Sequence, residues 1–118
     1  MAIKILILED DKERQRTFKQ NTVGADVVIV ETPNEAILEL QKTVFDWLFL
    51  DHDLGGRTQT SSDEESGFKV ARWLSENNDR IPLNVILHSL NENGRKNMKA
   101  VLPNAIECPF AWDKIKIG

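Results

Sequence analysis

Two acidic runs define the chemistry open to this sequence: Glu9-Asp10-Asp11 closes one aliphatic stretch and Asp51-His52-Asp53 closes another. Carboxylates that end two neighbouring strands approach within several Å. At about 4 Å each like-charge pair costs on the order of 4 kcal/mol at an effective dielectric near 20. That is a large share of a domain's total stability of roughly 5–15 kcal/mol. Protons or a hard dication must offset the cost, and an oxygen donor set suits Mg2+ or Mn2+. Glu9, Asp10 and Asp51 are therefore the predicted metal ligands. One acidic run alone reads more simply as the solvated start of a helix; the second run at a second strand end turns the pair into a site.

Around these ligands the sequence offers acid–base and anion-binding groups. Asp51 and Asp53 are two positions apart, so extended backbone points both the same way, one as ligand or nucleophile and the other as general acid or base. His88 ends a further aliphatic run, and an imidazole is suited to passing protons in neutral water, which makes it a third candidate for catalysis. Ser89-Leu90-Asn91 leads into a helix, and the first amides of that helix can hold an anion. Ser89, Asn91, Gly94 and Arg95 are the predicted phosphate contacts, with one register step undecided between His88 and Ser89 as the residue facing the site. His52 is expected to pack or to support the ligands from behind, Cys108 to act as a small apolar residue, and Trp47, Trp73 and Trp112 to pack core and edges.

The elements that must position these groups follow from periodicity. Ile3 to Leu8 is a nearly unbroken aliphatic run, as in a strand buried on both faces. Asp11 to about Gln20 reads as a helix with acids first and bases later. Val27 to Val30 is a second strand, and Thr32-Pro33 caps a second helix carrying Ala36, Ile37 and Leu40. Trp47 to Leu50 is a third strand, and 55–66 is a long polar loop, either a lid or a tolerated insertion. Phe68 to Leu74 is helical up to the breaker Asn77-Asn78-Asp79. Leu83 to Leu87 is a fourth strand interrupted at Asn84, and Gly94 to about Leu102 a helix stopped by Pro103. Ala105 to Glu107 is a brief fifth strand, and Phe110 to Ile117 leaves room for only a stunted last helix. Alternating strands and helices imply a parallel sheet covered on both faces. Ligands bind such sheets outside the carboxyl ends of the strands, where both acidic runs fall.

The bulk properties bound the partners. A chain of 118 residues supports one domain, spanning 1–118, with one real core. Hydrophobic residues at 41% and charged residues at 29% describe a globular chain, and a net charge of −4 offers no surface for nucleic acid or an anionic membrane. No apolar run reaches the roughly 18 residues of a membrane span, and Met1-Ala2-Ile3-Lys4 runs straight into a strand pattern and not a signal peptide. The single Cys108 fits a reducing compartment, so the expected location is cytoplasmic.

The run Ile5 to Asp11, then Leu48-Phe49-Leu50-Asp51, a polar residue after the fourth strand and Pro109-Phe110 after the fifth resemble the receiver domain of bacterial response regulators over nearly the whole chain. The resemblance implies a flavodoxin-like five-stranded parallel sheet in the order 2-1-3-4-5, helices on both faces, and a shortened last helix. It also implies Mg2+ at Glu9 and Asp10, a phosphoryl group on Asp51, and a phosphodonor kinase as partner. Three features depart from that pattern. Cys108 stands where the receiver lysine would, Gly55 where a proline is usual, and the last helix is nearly missing. These departures, with Leu50-Asp51-His52-Asp53-Leu54-Gly55 and His88-Ser89 followed by Asn91, Gly94 and Asn97-Met98, are similar to a divergent subgroup described as cyclic-phosphate-processing. The function expected on that basis is metal-dependent binding or hydrolysis of a small phosphate ester, hydrolysis making it a metal-dependent phosphoesterase. The alternatives are a stand-alone phospho-accepting receiver and a degenerate receiver kept as a protein-interaction module.

Overall fold

A computed structural model describes residues 2–54 and 66–117; the predicted polar loop 55–66 lies outside the described residues except for Ser66. Five strands, β1 (Lys4–Leu8), β2 (Asp26–Val30), β3 (Trp47–Leu50), β4 (Asn84–Leu87) and β5 (Ile106–Glu107), form one parallel sheet in the order 2-1-3-4-5. The helices are α1 (Lys12–Asn21), α2 (Pro33–Lys42), α3 (Gly67–Ser75), α4 (Glu92–Val101) and the four-residue α5 (Ala111–Lys114). Fold class, strand order and the shortened last helix are as the sequence predicts. Asn84 differs: it does not interrupt the fourth strand but opens it, because its backbone N–H donates to Asp46 O at the sheet's lower edge and Leu83 stays exposed. No described helix is long and apolar enough to cross a membrane.

Alternation along the strands divides the core. Leu6, Leu8, Leu48, Leu50, Val85 and Leu87 face α2, α3 and α4, while Ile5, Ile7, Phe49 and Ile86 face Phe18 of α1 and Ala111 of α5. Caps fix where helices begin. Asp11 accepts from the amides of Glu13 and Arg14, Thr32 Oγ1 accepts from Glu35 N while Glu35 Oε1 accepts from Glu31 N, Ser66 caps α3, and Asn91 caps α4 through Gly94 N.

The sheet's register makes the site. Leu8, Leu50, Leu87 and Glu107 lie level across β1, β3, β4 and β5. The ladder continues one step past the strands: Asp51 N donates to Leu8 O, His88 N to Leu50 O and Cys108 N to Leu87 O. Glu9, Asp51, His88 and Cys108 therefore form the next row, on the α1–α5 face, with neighbours one strand spacing of about 4.8 Å apart.

Two glycines allow helices to close on this row. Gly67 N donates to His52 O at 3.0 Å, and a Cβ on Gly67 would stand 1.9 Å from Asp51 O. A Cβ on Gly94 would meet the His52 ring at 2.4 Å. Backbone cannot yield as a side chain can, so Gly67→Ala should lower stability by about 3 kcal/mol or more, and Gly94→Ala by less. Chemical denaturation of the two variants measures the difference, and equal losses would show that the Gly67 contact relaxes freely.

Candidate functional site

Glu9, Asp51 and His88 are buried together, each offering one potential ligand atom, and these atoms lie within 4.8 Å of one another. Glu9 is fully enclosed at the end of β1. Its Oε1 accepts from His88 Nε2 at 3.0 Å and its Oε2 from Asp11 N at 3.0 Å. The turn that carries it is fastened by Gln15, whose amide donates to Glu9 O at 2.6 Å and to Glu31 Oε2 at 2.7 Å. Each carboxylate oxygen has two acceptor directions, so Glu9 keeps lone pairs for a cation after both donors are counted.

Asp51 is 3% exposed, and burial raises its carboxyl to about 6, the first of several influences. The charge of His88 opposes the rise, the charge of Glu9 adds to it, and the Ser89 hydroxyl bond and the Arg14 charge lower it. His88 and Ser89 thus both serve the site from successive positions. His88 lies among Phe18, Phe49 and Trp112, with ring centroids 5.1, 6.5 and 6.1 Å away, and reaches Glu9; Ser89 reaches Asp51. His88 Nδ1 is buried without a hydrogen-bond partner.

A second group forms where the loops after β3 and β4 meet. Asp53 Oδ1 lies 2.9 Å from His52 Nδ1 and accepts from Asn91 Nδ2 at 3.1 Å, while Asn91 Oδ1 holds Gly94 N. Asn91 N in turn donates to Ser89 Oγ at 3.1 Å. His52 is buried against Gly94. Arg95 is engaged elsewhere: Nε donates to Glu107 Oε1 at 3.2 Å and NH1 to Ser89 O at 2.8 Å, which ties the loop after β4 to β5. Asp10 is half-buried beside the row, and the close set of ligand atoms among the described residues is Glu9, Asp51 and His88.

One participant has no counterpart in the sequence reading. Arg14 NH1 stands 3.8 Å from Glu9 Oε1 and 3.9 Å from Asp51 Oδ2, with the guanidinium 4.5 Å over the Trp112 ring. Its signal was present: four residues beyond Asp10 on a helix that starts at the acidic run, a side chain returns toward that run. Its pairing with Trp112 depends on tertiary structure.

The sequence profile of the cyclic-phosphate processing receiver domain matches residues 4–104. Among solved structures, a CheY-like receiver domain from Methanospirillum hungatei JF-1 superposes with a TM-score of 0.70 at 18% identity, covering 92% of this chain and 83% of that one. The Mn2+-bound response regulator Rcp1 gives 0.69 at 20% identity, covering 96% and 91%. The receiver domain of a Francisella response regulator gives 0.68 at 22% identity, covering 96% and 89%. Comparison with curated proteins finds no match.

The raised Asp51 carboxyl has a measurable consequence. In the unfolded chain an aspartate ionises near 3.9. Between that value and about 6 the metal-free folded protein holds a proton that the unfolded chain has released. The contribution of Asp51 is therefore fully present below about pH 4 and lost as pH rises through about 6, a change of about 2–3 kcal/mol. Urea denaturation of wild type and Asp51→Asn between pH 4 and 7.5 should show the variant gaining on the wild type across this window. A pH-independent difference would show that Asp51 carries no such strain.

Proposed function

Because this chain belongs to the family of cyclic-phosphate processing receiver domains, we propose that its acidic edge binds Mg2+ or Mn2+ and, with it, a small phosphate ester such as a cyclic phosphate. The observation that carries this reading is the buried meeting of Glu9, Asp51 and His88. Two carboxylates enclosed one strand spacing apart are costly by themselves, and Asp51 responds by holding its proton. A dication relieves both charges at once. The donor set fits it: carboxylate oxygens from two strands, with His88 orienting Glu9 as hydrogen bonds from behind commonly orient metal-bound carboxylates. The Mn2+ bound by Rcp1 supports the choice of ion.

When bound, the metal supplies charge to a phosphoryl oxygen and neutralises what develops there. The chain's own residues do the remainder. Asp51 and Glu9 hold the cation, and the Ser89 hydroxyl stands beside Asp51. Proton transfer falls to Asp53, which is only partly buried and whose Oδ1 is set by His52 and Asn91. His88 is fully enclosed, with Nε2 on Glu9, so it acts by placing that carboxylate.

Metal should stabilise the folded protein by RT ln(1 + [L]/Kd), about 2.7 kcal/mol at a hundredfold excess over Kd. Melting should rise with millimolar Mg2+ or Mn2+, reverse with a chelator, and stay flat in Asp51→Asn. Incubation with a panel of cyclic and linear nucleotides plus Mg2+ then tests turnover. Asp53→Asn should lower kcat by about 10²–10⁴-fold with metal affinity unchanged. Labelling of Asp51 by a small phosphodonor, without turnover or binding of any cyclic phosphate, would replace this reading with a phospho-accepting receiver.

A further inference from the structure

Arg14 is placed as no ordinary salt-bridge residue is. Its side chain is 27% exposed, and NH1 lies within ion-pair range of carboxylates on two different strands, Glu9 and Asp51. At 3.8 and 3.9 Å both approaches are too long to be hydrogen bonds. Among the described residues Arg14 is the one permanent cation in ion-pair range of Asp51. Trp112 of α5 holds the guanidinium by its ring face, 4.5 Å from the centroid. Asn21 Nδ2 on α1 donates to Trp112 O at 2.7 Å and fixes the indole's backbone to the helix that carries Arg14. On the far side of His88, the row ends in Cys108, which brings no cation to it.

We propose that Arg14, braced by Trp112, is the anion-binding fork of this site, contacting oxygens of a phosphoryl group held at Glu9 and Asp51. The inference rests on the metal-dependent phosphate reading above. A guanidinium presents several N–H donors in one plane, matched to two phosphate oxygens. In the ligand-free site the carboxylates attract it without engaging those donors. A dication held by Glu9 and Asp51 would cancel that attraction, and the Trp112 ring would keep the guanidinium at the site's edge for a phosphoryl group.

The two roles of Arg14 toward metal and phosphate are opposite in sign, and this separates the proposal from a structural one. Calorimetric titration with Mg2+ alone, then of the Mg2+-saturated protein with inorganic phosphate, reads both. Arg14→Gln should bind Mg2+ severalfold more tightly, since a competing charge is gone, and phosphate about tenfold to a hundredfold more weakly, as for loss of a charged hydrogen bond. Arg14→Lys should restore the wild-type Mg2+ affinity but recover phosphate binding only in part, because it keeps the charge and loses the fork. Trp112→Leu should weaken phosphate binding with little change for Mg2+, and Trp112→Phe should lie between it and wild type. Wild-type phosphate affinity in Arg14→Gln, or parallel loss of Mg2+ and phosphate, would overturn the role of Arg14 while the metal reading stands. Failure of the wild type to bind Mg2+, or phosphate once loaded, would instead remove the underlying reading and this proposal with it.

Discussion

The constraint on which this molecule depends is the common level at which its central strands stop. β1, β3 and β4 run parallel and in register, so the first residue past each is delivered to one row at the spacing of the backbone ladder. That spacing comes from peptide hydrogen bonding and cannot be widened without breaking the sheet. Once Glu9, Asp51 and His88 occupy the row, their crowding is obligatory. Much of the surrounding structure holds the crowd in place: Asp11 N and Gln15 at Glu9, the carbonyl of His52 held by Gly67 N, and Asn91 bridging Asp53 to α4.

Seen electrostatically, the site is under-compensated by design of its parts. The imidazole of His88 satisfies Glu9, the hydroxyl of Ser89 meets Asp51, and Arg14 attracts both from a distance. None of these removes the cost of enclosing Asp51, which shows in its upward-shifted carboxyl. Sites of this kind store unfavourable energy that a ligand releases, and the aliphatic layers on both faces of the sheet must carry that load.

Most of the architecture was legible in the residues. Unbroken aliphatic runs marked strands covered on both sides, and Asp11, Thr32 and Asn91 stand where the helices begin. Convergence of two acidic runs followed from the topology rule for parallel sheets alone. Side-chain partnerships were less visible. Periodicity assigns a residue to a face but not to a mate, so His88 could be placed at the edge but not on Glu9, and Arg95 could be placed near the loop but not on Glu107. Asn84 looked like a break because its polarity was weighed without the Asp46 carbonyl that its amide meets. Gly67 drew no attention in the sequence, since the closeness of Asp51 O is a property of packing.

The bond from Asn21 to the carbonyl of Trp112 joins residues 91 apart in sequence, and Ile117 N returns to Asn21 O at 2.7 Å. With β1 interior to the sheet and α1 leaning on α5, the members of the row cannot be assembled progressively as the polypeptide emerges. Closing loops of that span demands entropy before any contact repays it, which makes folding slow by the standard of locally connected helical bundles. Until α5 docks, the Arg14 guanidinium lacks the indole that holds it, so a nascent chain carrying all the acidic residues has not yet fixed the cation beside them.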